Sequence, residues 1–189
     1  MRKRLLFLFT AIFLTGCSTT SLLVFSPDHV PTQWQFNGKV AIKTPEQAQG
    51  LKINWHQIDD QFDINLYTTF GITVLKIKGN KHTVNIESDQ GPITGTSAQQ
   101  LIWQQTGWHI PIDNLQHWLL GDVTDATNVE LSNNGHFLSG NIYDNFGRQW
   151  QLSLNKYQPV QGRTLPHSLR LRHDKLLLKL AISEWKIEQ

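Results

Sequence analysis

The sequence predicts a mainly β fold with some α: one long antiparallel sheet, curled on itself and covered by a small helical lid. Three observations carry this expectation. From Trp34 onward apolar and polar residues alternate with a period of two in run after run. Short polar turn signals separate those runs, as in a meander of neighbouring strands. One stretch, between residues 97 and 121, switches to helical spacing.

The elements follow in order. Trp34, Phe36, Val40 and Ile42 share one parity and Gln35, Asn37, Lys39 and Lys43 the other, which makes a half-buried strand. Leu51, Ile53 and Trp55 alternate with Lys52, Asn54 and His56, Asp59-Asp60-Gln61 forms a turn, and Phe62, Ile64 and Leu66 alternate with Asp63, Asn65 and Tyr67. Two strands and a tight hairpin result. Ile72 to Lys78 and Lys81 to Ser88 make another pair across Gly79-Asn80. Ser97 then caps a helix through Thr106, with Leu101, Ile102 and Gln105 on adjoining faces and Gly107 as its stop. After Pro111, Asp113 is the expected cap of a second helix, in which Leu115, Trp118 and Leu119 fall at i, i+3 and i+4 and Gly121 ends the run. Strands resume at His136 to Tyr143, Arg148 to Tyr157, Leu165 to Arg172 and Leu176 to Trp185, separated by the turn Asp144-Asn145-Phe146-Gly147, a Pro/Gly loop, and Asp174-Lys175. Because the helices fall between two halves of the sheet, a lid is the economical place for them. No internal repeat or low-complexity tract appears.

The first 17 residues have a different logic. Arg2, Lys3 and Arg4 precede ten apolar or small residues from Leu5 to Leu14, and Thr15-Gly16 lead to Cys17, the one cysteine of the chain. That is the layout of a secretory signal, and its apolar run is about half of the ~20 residues that cross a bilayer as a helix. Leu14-Thr15-Gly16-Cys17 resembles the lipobox of bacterial lipoproteins. The resemblance implies a signal at 1–16 that is removed, and a Cys17 carrying an S-diacylglycerol and an N-acyl chain; Ser18 in the following position implies sorting to the outer membrane. Three acyl chains exceed the two signals that stable anchoring requires. The alternative is a secreted protein with a free thiol. Residues 18–32, with Pro27 and Pro31 and no sustained periodicity, read as a tether from the lipidated cysteine, so the expected segments are 1–16, 17–32 and a folded domain at 33–189.

The formal charge of +2 includes Arg2, Lys3 and Arg4, so without the signal it becomes 2 − 3 = −1. Nothing in that balance suggests nucleic acid, which needs clustered positive charge on one face. Arg170 and Arg172 alternate with Leu169 and Leu171, as on a solvated strand face.

Enzyme signatures are missing. Asp59-Asp60 sits in a turn, and Asp122 and Asp125 follow a helix stop, so neither pair reads as opposed carboxylates. The eight histidines include no HxxxH or HExxH pair, and there is no GxSxG or phosphate-binding glycine loop. No catalytic residue, metal ligand or cofactor is assigned.

All seven tryptophans follow the signal, mostly on inward parity or in the helices. They form an aromatic core, or they line an unfilled apolar interior beneath the lid. A carbohydrate-stacking surface would want the rings exposed, against the alternation.

The run from Ile110 through Pro111, Leu115, Trp118 and Leu119 to Gly121 resembles the IPxxxLxxWLxG segment of the LolB family of outer-membrane lipoprotein receptors. The preceding Leu101 to Gly107, the hairpin Leu66-Tyr67-Thr68-Thr69-Phe70-Gly71, Gly38 with its following strand, and Leu178 to Ile187 (LKLAISEWKI) are similar to that family too. The resemblance implies a half-open antiparallel barrel of about ten to eleven strands with helices over a hydrophobic cavity. It also implies a monomer that accepts triacylated lipoprotein cargo from a LolA-type periplasmic carrier and releases it into outer-membrane lipid, with no nucleotide used. Each buried acyl CH₂ contributes ~0.8 kcal/mol, so three exposed chains would cost on the order of tens of kcal/mol in water.

In the family an apolar side chain on the protruding loop is associated with membrane targeting. Phe70, beside Gly71, holds that position here, where Leu is expected; the alternative is that Phe70 folds back as a core plug. The expected acyl-chain cavity residues are Phe36, Trp55, Leu66, Trp118, Leu152 and Leu178, all apolar and on inward parity or the lid's apolar face. Ordinary core packing predicts the same pattern, and a structural or ligand-binding envelope lipoprotein without lipoprotein traffic is the other function class.

Overall fold

A computed structural model describes residues 30–188. The expected signal at 1–16, the acylated Cys17 and residues 18–29 of the tether lie outside the described residues. Eleven strands form one antiparallel sheet: β1 (Gln33–Lys43), β2 (Ala48–Ile58), β3 (Gln61–Tyr67), β4 (Thr73–Gly79), β5 (Val84–Ser88), β6 (Gly91–Gly95), β7 (Thr127–Leu131), β8 (Phe137–Tyr143), β9 (Gln149–Val160), β10 (Arg163–His173) and β11 (Leu176–Ile187). Two helices, α1 (Ala98–Thr106) and α2 (Ile112–Trp118), come between β6 and β7.

The order across the sheet is β6-β5-β4-β3-β2-β1-β11-β10-β9-β8-β7. The first and last strands thus pair at the centre, while β6 and β7 are the two free edges. The chain leaves one edge, runs through both helices and enters the other edge, so the lid is strung across the barrel's open side. Every described strand, helix and core residue lies between Gln33 and Ile187. Ahead of β1, Val30 already packs on the core, and the Thr32 carbonyl accepts from the Asp59 N–H at 2.7 Å.

Alternation becomes burial as expected. In β1, Trp34, Phe36, Val40 and Ile42 are buried and Lys39, Ala41 and Lys43 exposed. Between Asn37 and Gly38 the β1–β11 register shifts by a bulge. A Cβ on Gly38 would stand 2.5 Å from the Ala181 carbonyl oxygen, so the close approach of these strands requires glycine there.

Ser97 caps α1 as expected, its Oγ accepting from the Gln100 N–H at 3.3 Å, and Gly107 closes it at φ 73° with its N–H donating to the Trp103 carbonyl at 2.7 Å. The second helix differs. Its N-cap is Pro111, whose carbonyl accepts from Asn114 and Leu115, and no side chain caps it. Asp113 lies inside the first turn, where its negative charge still suits the helix N-terminus.

Other boundaries shift for local reasons. The strand expected from Lys81 begins at Val84, because Asn80 Oδ1 accepts from the His82 and Thr83 N–H groups and holds them in a turn. The expected Pro/Gly loop is mostly ladder: Pro159 pairs Thr164 and Val160 pairs Arg163, leaving Gln161 and Gly162, at φ 46° and 83°, as a two-residue hairpin turn. Strands β6 and β7 carry no fully buried residue; each is five residues long, and only Ile93 in one and Val129 and Leu131 in the other pack partly on the core, too short a pattern to stand out in the sequence.

Candidate functional site: an apolar cavity beneath the lid

The inner face of the sheet is not filled evenly. Beyond the Gly38 bulge, Val40 and Ile42 of β1, Leu178 and Leu180 of β11 and Ile53 of β2 face Ile102, Leu115 and Leu119 of the helices across a cavity of about 50 Å³. Its wall is wholly apolar. The interhelix segment adds Trp108 and Ile110, both buried. The Trp108 indole N–H has no hydrogen-bond partner, a cost of about 1–3 kcal/mol for a buried donor.

Trp55, Leu66 and Leu178, three of the residues expected at a cavity, stand on this wall. Phe36, Trp118 and Leu152 do not; all three are buried in the core but outside its lining. Phe36 is enclosed by Trp34, Trp55 and Trp185, with ring centroids 5.2–6.0 Å away. Parity fixes which face a residue takes but not its distance from the lid. Trp108 and Ile110 lie in the linker between the helices, outside any periodic run; two large apolar residues flanking His109 between a helix stop and Pro111 are the one sequence signal for them.

The lid is held at its rim by polar contacts. Gln99, on α1, is buried, and with its amide turned to suit both groups its oxygen accepts from the two terminal nitrogens of Arg148 at 3.2 and 3.3 Å. Arg148 also lies over the Phe146 ring at 5.2 Å and near the Asp144 carboxylate at 3.8 Å. Asn114 of α2 exchanges hydrogen bonds of 3.2 Å with Asn145, and Ser88 of β5 donates to Gln105 of α1 at 2.8 Å.

Asp144, read from sequence only as a turn residue, is buried. Burial alone would raise its carboxyl, but N–H bonds from Arg148, Trp150 and Phe146 and the Arg148 charge hold it below the usual carboxylate range. Nearby His109 stacks on Trp103 at 5.5 Å, and burial together with the Arg148 charge lowers its pKa. Asp113, half-buried, is raised by burial. Among the described residues no cluster of His, Cys, Asp or Glu is arranged to hold a metal ion.

The β3–β4 tip projects from the same sheet. The Thr68 N–H donates to the Ile72 carbonyl at 2.9 Å, the Gly71 N–H to the Thr68 carbonyl at 3.0 Å, and the Ile72 N–H to Thr68 Oγ1 at 3.2 Å. Gly71 holds φ 84°, which favours glycine. Phe70 is 93% exposed and Ile72 66%, so Phe70 is not a core plug. Two large apolar side chains on one turn tip depart from the polar norm for such positions.

Residues 32–185 match the family model described as outer membrane lipoprotein LolB. Among curated relatives, an outer-membrane lipoprotein LolB of Psychromonas ingrahamii is 36% identical over 159 residues, covering 84% of this chain and 78% of that one. One from Aeromonas hydrophila is 31% identical, with 97% and 96% covered. Among solved structures, a LolA superfamily protein from Nitrosomonas europaea aligns with TM-score 0.55 at 10% identity over 85% of this chain and 88% of that one. A putative outer membrane lipoprotein-sorting protein domain from Vibrio parahaemolyticus aligns with TM-score 0.53 at 8% identity, with 83% and 86% covered. At such identities the structures show a shared fold alone.

Proposed function

The chain belongs to the LolB family of outer-membrane lipoproteins, and from that membership we propose that it receives triacylated lipoproteins from a LolA-type periplasmic carrier and inserts them into the inner leaflet of the outer membrane. On this reading Cys17 carries the lipid anchor, residues 18–32 tether the domain at 33–189, and the protein works as a periplasm-facing monomer.

The carrying observation is the wholly apolar cavity closed by a lid strung between two sheet edges. At about 50 Å³ it is smaller than the ~150 Å³ cavity that holds one benzene, too small for an acyl chain with the helices in this position. Loading therefore moves α1 and α2 outward. The cost is limited because an acyl chain offers the walls the same apolar contact that Ile102, Leu115 and Leu119 give up. Trp55, Leu66 and Leu178 would line the loaded site; Phe36, Trp118 and Leu152 would support it from behind. The Trp108 N–H would gain an ester or amide carbonyl of the cargo lipid as acceptor. Transfer then runs downhill in free energy from carrier to cavity to bilayer.

Phe70, with Gly71 setting the turn, is the membrane-insertion tip. Two measurements test the proposal with a form starting at Ser18, which lacks the acylated cysteine. Incubated with carrier loaded with lipoprotein, it is expected to take the cargo. No transfer from an active carrier preparation would leave a ligand-binding outer-membrane lipoprotein instead. Phe70→Glu is expected to change stability by no more than about 0.5 kcal/mol and to accept cargo normally, while delivery to vesicles falls. Normal delivery by the folded variant removes Phe70 from the mechanism.

A further inference from the structure

On the outer face of the sheet, behind the cavity wall, two neighbouring rungs carry like charges. Lys39 of β1 pairs with Lys52 of β2, and Lys179 of β11 pairs with Arg170 of β10. Like charges directly opposite on one sheet face are destabilising. Elsewhere this sheet pairs opposite charges: Asp63 meets Lys78 at 2.6 Å, and Lys76 is in register with Glu87. None of the four cations takes part in an ion pair among the described residues; Lys52 lies over the Tyr67 ring at 5.9 Å. Glu184, on β11 beyond Ala181, is engaged by Asn37 at 3.1 Å and Lys186 at 3.7 Å.

Small residues complete the two rungs. In one, Lys52 and Lys39 are followed by Ala181 and Ser168; in the other, Gly50 and Ala41 precede Lys179 and Arg170. Long cationic side chains thus rim a floor of Ala, Ser and Gly, giving a groove of about 510 Å³ with no carboxylate in its lining. The groove's lining continues into Thr69, the residue before exposed Phe70.

We propose that this groove binds the phosphates of anionic phospholipids, seating the sheet's outer face at the headgroup level while the Phe70–Ile72 tip enters the apolar layer. The inference rests on the membrane role of the tip proposed above and adds the lipid class. Four unneutralised cations match a plane of phosphates, and an apolar tip adjoins them at the depth where acyl chains begin. A single charged row on a solvated strand would not explain two like-charged rungs set around small residues.

The test uses the form starting at Ser18, which retains every described element, with phosphatidylcholine vesicles and with vesicles in which about one-third of the lipid is phosphatidylglycerol. At low salt the anionic vesicles are expected to bind much more tightly, by about fivefold per cation near the surface. Lys39→Gln with Lys179→Gln, which breaks both like-charged rungs, is expected to lose about 25-fold of that binding while melting at or above the parent temperature. Phe70→Ser should weaken binding to both vesicle types by one factor and leave their ratio unchanged. If Phe70→Ser has no effect but the groove variant loses anionic binding, the tip reading falls and the groove stands. The groove proposal is overturned if the parent shows no preference for phosphatidylglycerol, or if Lys81→Gln with Lys156→Gln loses as much. Displacement by millimolar inorganic phosphate would make it a free-anion site. A groove variant that binds vesicles fully but takes no cargo would assign the surface to the carrier, also overturning it.

Discussion

Two halves of the barrel interior are built on the same strands and packed in opposite ways. On one side of the Gly38 bulge, Trp34, Phe36, Trp55 and Trp185 form a solid cluster with ring centroids 5.2–6.0 Å apart. Two of the three indoles are hydrogen-bonded: the Trp55 N–H donates to Gln57 Oε1 at 3.1 Å and the Trp185 N–H to the Pro166 carbonyl at 3.0 Å. On the other side, Val40, Ile42, Leu178 and Leu180 leave a cavity, and the Trp108 N–H has no partner. The rings fill one end as a stopper, with Trp55 also reaching the cavity wall; the aliphatic side chains leave space at the other end. The difference lies in how the volume is filled: aromatic rings in mutual contact on one side, branched aliphatic side chains around a void on the other.

The largest expected effect breaks the stopper. Phe36→Ala should cost about 3–5 kcal/mol in urea unfolding, as large-to-small changes in packed cores do. A loss under about 1 kcal/mol would mean that this half is as loose as the other. Filling the cavity instead should be tolerated better: Val40→Phe should cost no more than about 1–3 kcal/mol and abolish uptake of cargo from the carrier. Uptake at the parent rate would show that the cargo does not use this space.

The smallest effect concerns the rim that holds the lid over the cavity half. Because the Asp144 carboxyl is held below its ordinary value, its stabilisation is present above the unfolded pKa of about 3.9 and is lost as pH falls through the folded value. Asp144→Asn should start less stable near neutrality and lose less on acidification, measured by melting temperature across the acidic range. Parallel curves for the two proteins would remove Asp144 from the clasp.

How much of this was legible varies with the physics of each feature. The long strands, Ser97 as a cap and Gly107 as a stop were readable because alternation and capping are local. Edge strands β6 and β7 were not, since each is five residues long and buries its one or two apolar side chains only in part. Parity puts Trp55, Leu66 and Leu178 at the cavity, but the same parity holds for Phe36 and Leu152, which are buried outside its lining. The Asp144 clasp joins a turn to a helix some 45 residues earlier, and no local pattern announces that.

By itself the sequence determined which face most strand residues take, where the two helices interrupt the sheet, and that a large apolar side chain, Phe70, sits at a turn tip. Those follow from local spacing and residue type. Only the tertiary structure decided which side chains close ranks and which leave a void, and that Lys39 stands opposite Lys52 while Arg170 stands opposite Lys179. A cavity is a mismatch of volumes among distant segments, and a charged groove depends on the register in which β1 meets β11 from the far end of the chain. Neither is a property of any stretch of sequence read alone.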